Sequence, residues 1–272
     1  MKTGLAAWHY PHRKIHENVT YFLQSGFDYV SLNGPGVLAA LNDPEAREAL
    51  TRAVAEQPIT LHFPMPNSHK EEDVAVFRKG IDTVAAWQAE TGAIDILSFD
   101  VYGGVRGNAS PYVRYAMERV GTRTAVEDYG LNDAELRDLA SLEGEEKFGY
   151  LLDIGHMFIR FNGKNTSGAT LFTQSALEAN EATTEGFVRT LRAKTFPVFE
   201  MHLHNNDGEH DTHRFLPDGA LDMAAFAEAL RTVGYDGYLT IESAPGYQFP
   251  CYGAEADAGI LRDLALWRSL MK

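Results

Sequence analysis

The sequence predicts a single (β/α)8 barrel over residues 1–272, with its functional site at the C-terminal ends of the strands. Short apolar segments typical of strands alternate with segments of helical spacing, and eight such pairs fit the 272 residues. Helical crossovers return each strand in the same direction, which makes the sheet parallel. The same alternation allows a doubly wound open sheet as the alternative architecture.

Eight strands are predicted in chain order. The first covers residues 4–8, and the second covers residues 27–32 and ends at the turn sequence Asn33-Gly34-Pro35-Gly36. The others are predicted at residues 59–63, 94–99, 122–126, 148–152, 198–201 and 238–241.

Capping residues and helical spacing predict the helices between these strands. Residues 13–24 have apolar side chains at helical spacing, and Gly26 follows where a C-terminal cap belongs. Asp43-Pro44 supplies an N-cap and a first-turn proline, and Ser68-His69-Lys70-Glu71 has the form of a capping box. Further helices are predicted at residues 112–120, from Asn132, from Asp222 to Gly234 and at residues 255–270. Residues 161–173, rich in Gly, Asn and Thr, are predicted to form a loop.

Composition argues against several classes of protein. The chain has 38 acidic and 24 basic residues and a net charge of −14, which makes nucleic acid an unfavourable partner. No run of about eighteen apolar residues is present, so no membrane span is expected. The N-terminal sequence lacks the pattern of a signal peptide, and the single Cys251 excludes an intrachain disulfide. A cytoplasmic protein is expected, and a homo-oligomer is one of the assemblies that the sequence allows.

Polar or ionisable side chains end nearly every predicted strand. Active sites of (β/α)8 barrels lie at this end of the strands. The residues concerned are Trp8-His9, Asn33, His62, Asp100, Glu127, Asp153 with His156, His202 with His204, and Glu242. Their repeated position predicts a functional cleft there.

Three carboxylates in this set follow directly on apolar strands: Glu127, Asp153 and Glu242. A buried carboxylate without a partner is costly. Carboxylates brought together also repel, and each resists ionisation unless a cation compensates. A divalent metal is the simplest compensation. For His62 and Asp100, a satisfied buried polar group is an equally good interpretation.

A His-rich segment, residues 197–221, surrounds the seventh strand. His202 and His204 are two residues apart, so they point to the same side of the strand. Asp211-x-His213 can fold back over that side from the following loop. Imidazole and carboxylate groups at this density indicate a divalent metal site, with a His-rich surface loop as the alternative.

These strand-end segments resemble the xylose isomerase-like TIM-barrel superfamily, which includes sugar isomerases, ketose 3-epimerases and metal-dependent apurinic endonucleases. The first two strands match only loosely. The matching segments are residues 61–64, 126–128, 152–156, 202–208 and 239–242.

The resemblance implies a metal, often manganese, held by a set of four residues: Glu127, Asp153, His204 and Glu242. Zinc, magnesium and cobalt are alternatives. His204 is preferred to His202 because Asp207 reproduces the family's His-x-x-Asp turn. Six further residues would bind substrate or a second metal: His62, Asp100, His156, His202, Asp211 and His213.

The resemblance further implies a sugar isomerase or epimerase that acts on a small sugar or polyhydroxy compound. Glu127 and Glu242 would both hold the metal and transfer protons next to a carbonyl through an enediolate. His156 would hold a substrate oxygen, and Trp8 could cover the apolar face of the sugar.

Two other classes of function stay open. In the endonuclease branch, Asp-x-x-His and a later Asp-x-His supply ligands to a metal cluster, and Asp153/His156 and Asp211/His213 have this form. However, strand four ends in Asp100 where that branch has a ligand histidine, and the charge of −14 is unfavourable for a phosphate backbone. A lyase or a non-catalytic carbohydrate-binding barrel is the third class, because function depends on the site rather than the fold.

Overall fold

Eight parallel strands close into a barrel in chain order in a computed structural model of the protein. The structure describes residues 1–101, 103–127, 133–142, 144–162, 181, 183–186, 188–189, 192 and 197–272. The strands are β1 (Lys2–Ala6), β2 (Tyr29–Asn33), β3 (Ile59–Pro64), β4 (Ile94–Asp100), β5 (Arg123–Glu127), β6 (Phe148–Asp153), β7 (Val198–Leu203) and β8 (Tyr238–Ile241). The (β/α)8 barrel is therefore confirmed, and the open sheet is excluded, because β1 pairs with β8.

Helices surround this barrel. The described helices are α1 (Ile15–Gln24), α2 (Gly34–Leu41), α3 (Pro44–Ala53), α4 (Glu71–Thr91), α5 (Ser110–Val120), α6 (Asp133–Leu139), α7 (Ile154–Phe161), α8 (Met223–Val233) and α9 (Gly253–Leu270). The caps expected from sequence form at two of them, because the side chains of Asp43 and Asp222 accept backbone hydrogen bonds at the starts of α3 and α8. Among the described residues, no helix is both long and apolar enough to cross a membrane.

Three local predictions differ from the structure. Residues 34–41 form α2 instead of a turn, because the Asn33 side chain accepts a hydrogen bond from Gly36 N at 3.1 Å and caps the helix. β1 ends at Ala6, and the next three residues form a 3₁₀ turn. α4 begins at Glu71 without a side-chain cap, because the N-cap position is Lys70 and Ser68 accepts a hydrogen bond from Lys70 N, at 3.2 Å, ahead of the helix. Asn132 and residues 163–173 of the predicted loop lie outside the described residues.

Layers of side chains fill the barrel beneath the strand ends. A small apolar cluster takes one residue from each of six strands: Tyr29, Ile96, Ala125, Leu151, Phe199 and Tyr238. Two residues further along three of these strands, on the same face, lie the buried hydroxyls of Ser31, Ser98 and Thr240. The next residue on that face of β8 is the position of Glu242. The barrel interior therefore changes from apolar to polar toward the C-terminal ends of the strands.

A buried carboxyl group on α9 joins the two segments that follow β7 and β8. Asp263 is fully buried. Its Oδ1 accepts a hydrogen bond from Leu216 N at 2.8 Å, and its Oδ2 accepts one from Ser243 Oγ at 2.7 Å. Burial raises the pKa of Asp263 to about 7.

The raised pKa of Asp263 predicts that the stability of the protein depends on pH through this group. Asp263→Asn should remove this part of the pH dependence. An Asp in the unfolded chain has a pKa of about 4, so the folded protein binds the proton more tightly. The stabilisation by this group is then complete below about pH 4 and is lost as the pH rises through about 7. We expect the free energy of unfolding of the wild type to fall relative to that of Asp263→Asn by up to about 4 kcal/mol over this range.

Urea unfolding of both proteins at several pH values measures this difference. Other titrating groups are common to both proteins, so their contributions cancel. A difference between the two proteins that is independent of pH would contradict the raised pKa.

Candidate active site

The structure brings the four residues of the implied metal set to one end of the barrel. Glu127 ends β5, Asp153 ends β6, and Glu242 directly follows β8. His204 directly follows β7 and is fully buried, and the three carboxylates are at most 8% exposed. The remaining predicted site residues lie at the same end: Trp8, His62, Asp100, His156, His202, Asp211 and His213.

Asp153 lies between the two glutamates. Donor atoms of Glu127, Asp153 and His156 lie within 4.8 Å of one another, and the same holds for Asp153, His202 and Glu242. The local sequence orients this carboxylate, because Asp153 is the N-cap of α7 and its Oδ1 accepts a hydrogen bond from His156 N at 2.7 Å. Both glutamates therefore border a common carboxylate.

His204 and Asp153 provide the test of whether this site fits a metal. Neither ring nitrogen of His204, nor Oδ2 of Asp153, makes a hydrogen bond within the described part of the chain. Buried polar atoms are costly when they lack a partner. Imidazole nitrogen and carboxylate oxygen are suitable ligands for a divalent ion. The donor set thus fits a metal, with His204 Nε2 3.3 Å from Asp153 Oδ1.

His202 has different neighbours from His204. Its Nδ1 lies 3.1 Å from Oε2 of Glu242. Of these two histidines, His204 is the one that contacts Asp153, whereas His202 contacts Glu242. The assignment of His204 as the metal ligand stays a prediction.

Asp211 and His213 lie over His204, on the loop after β7. The rings of His204 and His213 stack with their centroids 3.7 Å apart. Asp211 bridges two histidines, with Oδ1 3.0 Å from His213 Nε2 and Oδ2 3.2 Å from His156 Nε2. Donor atoms of these four residues lie within 4.8 Å of one another, so they form a second group that could hold an ion.

The backbone at His213 is strained. Its φ of 40° is the only positive φ of a non-glycine residue within the described ranges. Its Nδ1 donates a hydrogen bond to the carbonyl oxygen of Glu242 at 3.0 Å, since a carbonyl only accepts. This bond directs Nε2 toward Asp211, as in histidines whose second nitrogen is held by a partner. Strain of this kind is concentrated at functional sites.

A third group lies at β3 and β4. His62 Nε2 is 3.0 Å from Asp100 Oδ2, and donor atoms of His62, Asp100 and Glu127 lie within 4.8 Å. His62 Nδ1 is also 3.0 Å from Ser98 Oγ. The Trp8 ring stacks on His62 with centroids 5.8 Å apart, so it forms part of the wall of the cleft.

The two glutamates experience opposite electrostatic environments. Burial and the negative charge of Asp100 raise the pKa of Glu127 well above its usual range. Burial alone would also raise the pKa of Glu242, but the imidazoles of His202 and His213 outweigh it and hold that pKa well below its usual range. Without a metal, the site therefore favours a protonated Glu127 and an ionised Glu242, the pattern of an acid and base pair.

Comparison with known proteins identifies the family. A family model described as "Xylose isomerase-like TIM barrel" matches residues 20–270. The chain belongs to this family. The resemblance carried by the strand-end motifs is thereby confirmed.

Solved structures similar to this barrel include a D-tagatose 3-epimerase-like protein, with a TM-score of 0.66 and 17% identity over 100% of both chains. D-psicose 3-epimerase from Clostridium cellulolyticum H10 has a TM-score of 0.62 and 11% identity, again over 100% of both chains. These identities are low, so the similarity shows the fold alone. An uncharacterized protein of Methanocaldococcus jannaschii is 26% identical over 114 residues, which cover 42% of this chain and 32% of that relative.

Two buried residues near the site of this xylose isomerase-like barrel were given no role from the sequence. His9 lies in the 3₁₀ turn after β1, and its Nε2 is 3.7 Å from Glu242 Oε1. The sequence placed it with Trp8 at the end of the first predicted strand, but that strand matches the family only loosely, so no role was assigned to it. Glu200 lies inside β7 beneath His202 and is fully buried. The sequence signal for Glu200 was an acidic residue within an otherwise apolar strand.

Gly155 is a position where an added methyl group should disturb the site. A Cβ atom there would lie 2.3 Å from the His204 ring. We expect Gly155→Ala to displace this ring, to destabilise the protein by about 1–3 kcal/mol, and to weaken metal binding. Thermal unfolding and a manganese titration measure the two effects.

Gly80→Ala is the matched control. Gly80 is also helical, and its Cβ would lie 2.9 Å from the Phe63 ring, which is not among the predicted metal ligands. The control should lose stability and keep its metal affinity. Equal metal affinity in Gly155→Ala and Gly80→Ala would contradict the proposed contact with His204.

Proposed function

We propose that the protein is a metal-dependent sugar isomerase or epimerase that transfers a proton next to a carbonyl through Glu127 and Glu242. The observation that carries this proposal is the position of two buried glutamates on either side of Asp153, at the ends of β5 and β8. The similar folds of a D-tagatose 3-epimerase-like protein and a D-psicose 3-epimerase support a small sugar as substrate.

The metal would be held by Glu127, Asp153, His204 and Glu242, with manganese as the first candidate and zinc, magnesium and cobalt as alternatives. A bound divalent ion would polarise carbonyl and hydroxyl oxygens of the substrate. The four residues are buried, and burial strengthens the electrostatic contacts among them.

Proton transfer falls to the two glutamates. One carboxylate removes the proton on the carbon next to the carbonyl, and the resulting enediolate receives a proton from the other carboxyl group, on the opposite face for an epimerase. His156 Nδ1 lies 3.0 Å from Glu127 Oε1 and would hold a substrate oxygen beside it. Trp8 would cover the apolar face of the sugar.

Exchange of the substrate's proton with deuterated water tests this function directly. The purified protein, loaded with manganese, is incubated with a panel of ketoses and aldoses that includes D-tagatose and D-psicose. We expect deuterium at the carbon next to the carbonyl of at least one sugar, together with its isomer or epimer. Metal binding without exchange on any sugar would contradict an isomerase. Absence of both metal binding and a metal-induced thermal shift would favour a non-catalytic carbohydrate-binding barrel.

The two additional donor groups favour a second candidate, a phosphodiesterase with several metals. The groups around Asp211 and around Asp100 would each add an ion beside the first. Two-metal sites stabilise the attacking and leaving oxygens of phosphate ester cleavage. Incision of a duplex with an abasic site, in the presence of zinc, is the decisive assay. The net charge of −14 opposes binding to DNA, so we expect no incision.

A further inference from the structure

Glu200 is a buried acidic residue that the proposed chemistry does not use. It lies on β7, two residues before His202 and on the same face of the strand. The residue is completely buried, and its Oε1 accepts hydrogen bonds from Thr60 Oγ1 at 2.9 Å and Thr240 Oγ1 at 2.6 Å. Strands β3 and β8 thus hold this side chain from two sides inside the barrel.

Two more hydroxyl groups extend this network. Tyr29 OH lies 2.7 Å from Thr240 Oγ1. A hydroxyl has a single proton, and Thr240 gives its proton to Glu200, so Tyr29 donates to Thr240. Thr60 Oγ1 also lies 2.6 Å from Ser31 Oγ. Residues from three strands thereby restrain one carboxyl oxygen on a fourth, which fixes the side chain more firmly than packing alone.

The imidazole of His202 lies between Glu200 and Glu242. Its Nε2 is 3.7 Å from Glu200 Oε1, and its Nδ1 is 3.1 Å from Glu242 Oε2. His202 is 1% exposed, and the Trp8 and His62 rings pack against it with centroids 6.3 and 5.5 Å away. Nδ1 is thus within hydrogen-bond distance of Glu242, whereas Nε2 makes no hydrogen bond within the described residues and faces the charge of Glu200 at longer range. Neighbouring rings limit rotation of the imidazole.

We propose that Glu200 is a positioning residue, which fixes the ring of His202 and through it the carboxylate of Glu242. This role rests on the proposed function, in which Glu242 transfers the proton. Side chains that orient a histidine through its second nitrogen also set what the first nitrogen contacts. A carboxylate that is out of place by an ångström transfers protons much more slowly.

Glu200→Gln tests this role, because glutamine keeps an oxygen for the threonine hydroxyls and beside His202 Nε2 but removes the negative charge that faces this ring. We expect altered ¹⁵N resonances of the His202 ring in histidine-labelled protein, assigned by their absence in His202→Gln. For the sugar that shows exchange, we expect kcat to fall by about 10–100-fold, with little change in KM. Asp95→Asn is the matched control, since Asp95 accepts a hydrogen bond from Tyr238 at the other end of the barrel. It should change neither the His202 resonances nor kcat.

A second pair of variants acts on Glu200 without replacing it. Thr240→Val removes one hydrogen bond to Glu200, whereas Thr240→Ser keeps the hydroxyl. Thr240→Val should shift the His202 resonances in the same direction as Glu200→Gln and by less, and Thr240→Ser should resemble the wild type. This pair decides the question if Glu200→Gln does not fold.

Unchanged His202 resonances in folded Glu200→Gln, or in Thr240→Val, would show that Glu200 only satisfies barrel hydroxyls and would overturn the proposal. Lower thermal stability of Glu200→Gln with an unaltered kcat would also overturn the proposal. If the wild type exchanges no sugar proton, the proposed function fails, while the His202 resonances still decide whether Glu200 positions the ring.

Discussion

Replacing Glu242 by glutamine is expected to lower kcat for proton exchange by a factor of about 10²–10⁴ at saturating metal. Glutamine has nearly the same shape, but it does not accept the proton from carbon. In the wild type, His202 and His213 outweigh the effect of burial and hold the pKa of Glu242 well below its usual range, so this carboxylate is ionised at neutral pH. Deuterium incorporation into the sugar, followed by NMR, measures the loss.

Two measurements separate loss of the base from loss of the metal. Metal content is determined on the same samples, because Glu242 is also a predicted ligand. Glu118→Gln removes an exposed carboxylate on α5 and should leave kcat unchanged. A Glu242→Gln protein that binds metal and exchanges at the wild-type rate would exclude Glu242 as the proton-transferring group.

Replacing His204 by glutamine is expected to weaken manganese binding by more than about 100-fold, more than the loss of a residue that only orients a ligand. His204 is fully buried, and the structure offers neither ring nitrogen a hydrogen bond within the described residues. Metal at 100 times its dissociation constant should stabilise the wild type by about 2.7 kcal/mol. His204→Gln should lose this stabilisation, as measured by thermal unfolding with and without manganese.

His210→Gln and His202→Gln complete this experiment. His210 is exposed on the same loop, where it contacts Asp207, so its replacement should leave the metal-induced stabilisation intact. His202→Gln discriminates between the two histidines of β7. Loss of metal in His202→Gln and retention in His204→Gln would reverse the assignment of the ligand.

The order of strands along the chain and the starts of several helices could be predicted from local sequence. This worked wherever a local signal, such as a capping side chain, determines the backbone. Asp43 and Asp222 cap their helices as their side-chain chemistry predicts. α2 was missed because Gly34-Pro35-Gly36 resembles a turn. The same proline is favourable in the first turn of a helix once Asn33 caps it. The capping side chain of Asn33 was therefore overlooked, because the residues that follow it are typical of a turn.

By itself, the sequence determined the alternation of strands and helices and the placement of ionisable residues where strands end. The alternation of side chains along a strand and the capping of helices each depend on a few neighbouring residues, so they can be recognised in the sequence. Only the tertiary structure decided which polar atoms meet. Asp153 lies between Glu127 and Glu242, and His9 and Glu200 approach the site, because closure of the barrel brings together strands that are far apart in sequence.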